Sequence, residues 1–347
     1  MLTVRELNRA LLARQLLLSR SSQSLTDALE QIGGLQSQYA PSAYIGLWSR
    51  LKDFERSGLT RALEQRRAVQ ATLMRSTIHT VSARDFHPFA AAIRSDRRDW
   101  WLRVARHQIG DVDMESVARL FRRALKDGPR RASELKALLA ENHIPAIAWS
   151  GVGAWVDMVR VPPSGTWDQR RADIYGLADD WLGPGGGKEP SGLSTLVLRY
   201  LQGFGPASAG DVAGWAGLPV TKVAASLSHF GLREFRDEKG ARLVDLPRAP
   251  LPDPEEPAPV RFLPTWDATL LVHARRTQIL PERYRPLVFN TRTPHSVPTF
   301  LVDGQVAGTW RHEKGRVLLN PFGKPTRAVR RELEAEAYAL AEFHQPG

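Results

Sequence analysis

Apolar residues return at helical spacing in an arrangement that occurs twice along the chain. In ESVARLFRRALKDGPRRASELKALLAEN, Val117, Leu120, Phe121 and Leu125 lie on one face of a helix that DGP ends, and Ser133 opens a second helix carrying Leu135, Leu138 and Leu139. PAIAWSGVGAWVDMVR supplies a third helix. VRVPPSGTWDQRRADIYGLAD then predicts a β-hairpin with Gly, Asp and a pair of arginines near its tip. The second occurrence runs from Ser191 to Leu246. GFGPAS breaks its first helix, Ser208 caps the next, GLPVT turns into a helix over Thr221–His229, and LREFRDEKGARLVDL forms a hairpin with DEKG at the tip.

Helix, helix, helix, hairpin is the order of a winged helix-turn-helix. A looser copy is expected at the start, with helices over Val4–Ser19 and Leu25–Gly34, an inserted helix near Ala43–Asp53, and ATLMRSTIHTVS as its strand. Stretches 182–192 (Gly-rich) and 246–260 (Pro-rich) read as linkers. Beyond the second, short β-branched runs joined by VDGQV and EKGR turns predict a small β-barrel, closed by a helix amphipathic through Val329, Leu333, Ala337 and Leu340. The expected fold is α+β, mainly α: tandem winged helix-turn-helix modules followed by a small C-terminal β-barrel. Its units are 1–113, 114–181, 192–246 and 260–347, the first an elaborated winged helix.

Composition adds three constraints. A chain of 347 residues suits several units rather than one core. The absence of cysteine removes disulfides, thiolate metal sites and thiol nucleophiles together. No apolar run is long enough to span a bilayer, and Arg5, Glu6, Arg9 and Arg14 interrupt the N-terminal stretch, so the chain is read as cytoplasmic and not membrane-bound. The net charge of +11 is carried mainly by arginine, whose planar fork binds phosphate and stacks on bases, so duplex DNA becomes the expected partner. Genomic GC bias enriches arginine too, and charge alone does not decide.

Several enzyme classes lack their markers. GPGGGKE is no phosphate loop, because Glu189 follows Lys188 and Leu182 stands where the first glycine belongs. HExxH, G-x-S-x-G and G-x-G-x-x-G are absent, as is the paired-cysteine signature of the zinc deaminases. The histidines are scattered, and no metal or other cofactor is expected. Tandem winged helices on a basic chain fit DNA, with a helix in the major groove and a basic wing on phosphates. Trp167, Arg170 and Arg171 of the first hairpin suit such a contact, and Arg311 is a further basic candidate.

One stretch does not fit a simple DNA binder. GGLQSQYAPSAY sets Gln36 and Gln38 one residue apart after a Gly-Gly break. A helix cap with both amides on nearby backbone would account for them structurally. GGLQSQYAPSAYIGLWSRL, TLMRSTIHTVSARDF and PTFLVDGQVAGTWR, however, together resemble the AlkZ/YcaQ family of bacterial winged-helix DNA glycosylases, in the same order of tandem winged helices and C-terminal β-barrel. That family carries Gln-x-Gln or Gln-x-Asp at this junction. Gln36 and Gln38 match it; Ser37 departs from the usual aliphatic middle residue.

The resemblance implies monofunctional excision of alkylated purines, above all N7-alkylguanine, extending to bulky adducts and interstrand crosslinks. An amide takes up no proton near neutral pH and cannot serve as general base, so the substrate must arrive activated. N7-alkylguanine does, because its ring is already cationic and its glycosidic bond needs no prior acid. The amides then have to place a water and favour the positive charge developing on the sugar. Around them Tyr39, Arg75, Ser76 and His79 are expected to touch DNA, and Tyr44 to pack or do likewise. A monomer is expected. Two non-catalytic alternatives stand beside this: a tandem winged-helix transcription regulator, and a scaffold whose modules contact protein.

Overall fold

The computed structural model describes residues 1–185, 189–271, 277–290 and 295–345. Thr3 and Glu6 form a capping box at the start of α1 (Val4–Arg14), and Ser24 caps α2 (Leu25–Ile32). Gly33, at φ 73°, ends α2 in the left-handed region. The short strand β1 (Leu35–Gln36) follows, then α3 (Pro41–Trp48) and α4 (Arg56–Glu64). The stretch expected as one strand is a hairpin: β2 (Ala68–Thr72) and β3 (Ile78–Ser82) pair antiparallel around a tight turn at Met74–Ser76. Arg75 and Ser76 adopt φ of 52° and 59° there, so the chain reverses without glycine. Ser82 then caps α5 (Ala83–Ile109), a single helix of 27 residues.

The next segment follows the expected order, with α6 (Met114–Leu125), β4 (Arg130–Arg131), α7 (Ala132–Glu141) and a short α8 (Ala148–Gly151) preceding β5 (Met158–Arg160) and β6 (Ile174–Leu177). Phe121, Leu125, Leu135, Leu139 and Val152 form its core with Trp101, Ala105 and Ile109 of α5. Its strands do not stand apart. Gln70 pairs with Arg160 and Ala71 with Val159, which joins both hairpins into one six-stranded sheet of order β1-β3-β2-β5-β6-β4. The segments on either side of residue 113 therefore share a sheet.

After α9 (Ala178–Leu182), α10 (Glu189–Phe204) takes up the last residues of the stretch read as a linker; 186–188, also in that stretch, lie outside the described residues. Ser208 and Asp211 form a capping box on α11 (Ala209–Ala216), and α12 (Val220–Leu227), β7 (Arg233–Arg236) and β8 (Arg242–Asp245) complete the third segment. Its apolar residues Tyr200, Phe204 and Trp215 pack with Leu11, Phe86 and Phe89 in a core shared with the N-terminal helices. Arg14 donates to Asp245 at 2.7 Å inside that contact, with side chains 1% and 0% exposed.

Residues 246–260 carry no helix or strand. Beyond them lie β9 (Arg261–Leu263), α13 (Arg285–Val288), β10 (Phe289–Asn290), β11 (His295–Ser296), β12 (Thr299–Val302), β13 (Gln305–Glu313), β14 (Arg316–Pro321) and α14 (Arg327–His344). Asp303-Gly304 and Lys314-Gly315, all at positive φ, make the two expected hairpin turns. The described strands form an open antiparallel sheet of order β14-β13-β12-β9 and a separate pair β10-β11. Residues 272–276 and 291–294, part of the stretch read as a barrel, lie outside the described residues. Phe262, Phe300 and Trp310 of the sheet pack with Leu333 and Leu340 of α14 and with Leu29, Tyr44 and Leu47 of the N-terminal helices. The whole is α+β with antiparallel sheets.

Candidate active site

The Gly-Gly break brings the glutamines onto the sheet. A Cβ at Gly34 would stand 2.7 Å from Val81 Cγ1 and 3.0 Å from the Thr80 carbonyl, so glycine is what lets β1 close on β3. Leu35 then pairs with Thr80 and Gln36 with His79. Strand alternation turns Ser37 inward, where its hydroxyl meets that of Thr80 at 2.6 Å. Gln36 is 6% exposed, whereas Gln38 and Tyr39 lie at the surface. The two amides are thus one behind the other in burial, not equal members of a pair.

Chemistry fixes how each amide is turned. The carbonyl Oε1 of Gln36 accepts from Nη2 of Arg75 at 3.0 Å, and Oε1 of Gln38 accepts from the Ile78 backbone N–H at 3.1 Å. Guanidinium and backbone N–H are donors only, so each must face the oxygen. Each carbonyl keeps its second lone pair, and each Nε2 keeps its two protons for other partners. The backbone reading of the pair holds for Gln38, whose amide does bond to the main chain, but it caps no helix there.

Arg75 and Ser76 occupy the β2–β3 turn rather than a strand. The Arg75 guanidinium also donates to the carbonyl of Trp215, in the last turn of α11, where the helix dipole favours a cation. His79 is sealed in the sheet at 2% exposure, and its Nδ1 lies 3.1 Å from the Thr77 carbonyl, to which it must donate. Burial, and then the charge of Arg75, push its pKa down to about 3. A neutral, enclosed imidazole does not contact phosphate, and the expectation that His79 touches DNA is corrected on that ground. Ser76, half-buried, borders an open cleft of about 310 Å³ with Leu73, Arg75, Ile93, Arg97 and Trp100.

The segment between β5 and β6 sends one of its expected residues, Arg170, to the motif, its tryptophan to the core and Arg171 to solvent. Trp167 is 6% exposed and meets Tyr44 and Phe343 edge-on at 5.6 and 5.5 Å, so it is a packing residue rather than a groove contact. Tyr44, fully buried, packs there too. Arg170 is exposed and donates to the Tyr39 hydroxyl at 2.8 Å, reaching across to the residue next to Gln38. Arg171, its side chain 87% exposed, pairs with Asp173 at 2.9 Å. Arg311 lies farther along the chain on β13, paired with Glu313 and open to solvent. Sequence reasoning missed Thr80, Ile78 and Trp215, which hold the motif; only the hairpin register, absent from a linear reading, would have pointed to the first two.

Among the described residues no cluster of His, Asp and Glu is placed to hold a metal ion, and no helix is long and apolar enough to cross a membrane. A surface amide, Gln38, thus stands two residues beyond a buried, guanidinium-anchored amide, Gln36, on a basic chain. The model of the family described as DNA glycosylase AlkZ-like matches residues 29–343, and the chain belongs to that family. It is a DNA glycosylase, acting on DNA, which sets aside the non-catalytic regulator. The fold is similar to that of Streptomyces sahachiroi DNA glycosylase AlkZ, at TM-score 0.82 and 17% identity over 99% of this chain and 96% of that one. No curated protein matches the sequence.

Proposed function

We propose that this glycosylase hydrolyses the N-glycosidic bond of cationic N7-alkylated purines in duplex DNA, with Gln36 and Gln38 as its catalytic residues. The observation that carries the reading is the exposure of Gln38 two residues beyond the buried, guanidinium-anchored Gln36. A water donating to a free amide-carbonyl lone pair of the motif would keep its own lone pair for the anomeric carbon. An amide dipole would favour the oxocarbenium ion, the purine would depart neutral without an acid, and the added water would release its extra proton to bulk solvent. The nearest ring that could shuttle a proton, His79, is held neutral and enclosed. Neutral amides leave uncharged purines uncleaved, since those need stronger acid–base help.

The helix-rich segments ending in the β5–β6 and β7–β8 hairpins are read as winged helices, with units at 1–113, 114–181, 192–246 and 260–347, the last a barrel-like unit. They would seat the duplex so that Tyr39, Arg75, Ser76, Arg170, Arg171 and Arg311 border it. The open position of Gln38 suits bulky adducts and crosslinks as well as small lesions, and the enzyme is read as a cytoplasmic, nucleoid-associated monomer. The test is release of N7-methylguanine from a duplex, read as alkali-labile abasic sites. Loss of turnover with retained DNA binding in Gln36→Ala and Gln38→Ala supports the assignment; full activity in both overturns the site.

A further inference from the structure

We infer that Arg75 is the positioning residue of the site, a clamp that fixes Gln36 by bridging two carbonyls from different parts of the chain. The inference rests on the proposed roles of Gln36 and Gln38, and three observations carry it. The guanidinium donates both to Gln36 Oε1 and to the Trp215 carbonyl of α11. Its backbone, at φ 52°, is held in an unusual conformation by a turn in which the Leu73 N–H donates to the Thr77 carbonyl at 3.0 Å. Gly217 lies so close that a Cβ there would stand 3.3 Å from the Arg75 backbone nitrogen, which seats the turn against the end of α11.

These contacts give Arg75 a second function beside bordering the duplex. A planar fork can serve two acceptors at fixed angles, which a lysine ammonium does not reproduce. With Oε1 turned to the guanidinium, Gln36 is locked in one of its two amide orientations, and its position becomes tied to that of α11. The adjacent positive charge also makes Gln36 a poor partner for a cationic sugar, so stabilisation of that charge falls to Gln38, whose carbonyl is anchored only by a neutral N–H. The two glutamines divide the work: Gln36 orients the water and Gln38 faces the charge.

Two experiments on the full chain decide it. In wild type, the 15N-labelled side-chain amide of Gln36, its carbonyl held by a charged donor, should give one resolved NH2 pair displaced from the free-glutamine position. Arg75→Met should return that pair towards the free position and leave the Gln38 pair unchanged; an unaltered Gln36 signal would overturn the clamp whatever the enzyme's substrate. In excision of N7-methylguanine, Arg75→Met should lower kcat about 10–100-fold with little change in KM. Adding Gln36→Ala should then cost almost nothing more, while adding Gln38→Ala should cost its full single-variant loss. Arg75→Lys, which keeps the charge, should match wild type in folding and DNA affinity yet share the loss in kcat. A rise in KM alone, or fully additive losses with Gln36→Ala, would leave Arg75 a DNA contact only and overturn the clamp. A wild type that releases no N7-methylguanine would overturn the substrate assignment, and the Gln36 amide shift would still decide the clamp.

Discussion

The hydroxyls of Ser37 and Thr80 meet at 2.6 Å inside the sheet, so the residue between the two glutamines faces away from them. Ser37 Oγ also lies 3.1 Å from the Leu35 carbonyl, and both hydroxyl-bearing residues are buried. The buried serine hydroxyl is accommodated because Thr80 offers it a partner across the strands. Ser37→Ala should strand the Thr80 hydroxyl and cost about 1–2 kcal/mol in urea unfolding, with turnover unchanged. The double change Ser37→Val, Thr80→Val should recover most of that stability, since an apolar pair replaces a satisfied polar one. A turnover defect in Ser37→Ala at full stability would place the serine in the chemistry.

Trp167 and Arg171 come from the same segment and should separate cleanly. Trp167→Ala opens a void between Tyr44, Phe343 and the rest of the aromatic cluster and should destabilise the fold by about 3–5 kcal/mol in thermal or urea unfolding. Arg171→Ala should leave stability within about 0.5 kcal/mol, while lowering the slope of log affinity against log salt by about one. An unchanged salt slope would remove Arg171 from the DNA interface.

What could be read along the chain was whatever is decided locally. Ser208 as a cap, Asp303-Gly304 and Lys314-Gly315 as turns, and the closing amphipathic helix all follow from near neighbours. The β2–β3 hairpin was missed because its turn is Met-Arg-Ser, with positive φ on residues that do not advertise it. Trp167 was misread as a surface residue because Tyr44 and Phe343 reach it from distant parts of the sequence. The glutamine pair was singled out by the family resemblance, with Gly33 and Gly34 marking its junction, and its inequality was not legible. That depends on Arg75 and Ile78, which only the sheet register and the turn bring to it.

Acid should weaken the fold before it touches the chemistry. His79 titrates near 6.5 when unfolded and is pushed down to about 3 by burial and Arg75. The unfolded chain therefore binds that proton first: the contribution of His79 is complete above about pH 6.5 and is lost as pH falls toward 3, at up to about 1.4 kcal/mol per unit. His344, packed on His312 and pushed down to about 4, acts in the same direction. Urea midpoints should fall between pH 7 and 5, and less steeply in His344→Phe. Excision should be flat from about pH 6.5 to 9, because amides do not titrate there; a bell-shaped profile in that range would call for an ionising catalyst.

The central claim is that two uncharged carboxamides suffice when the leaving base already carries positive charge. Its most direct measurement is single-turnover release of base from matched duplexes, one containing N7-methylguanine and the other a neutral lesion such as 1,N6-ethenoadenine, by wild type and by Gln38→Ala. On the proposed mechanism, wild type alone releases the cationic base rapidly, Gln38→Ala loses on the order of 100-fold or more, and neither releases the neutral base. Equal release of both lesions by wild type, or undiminished release by Gln38→Ala, would contradict it.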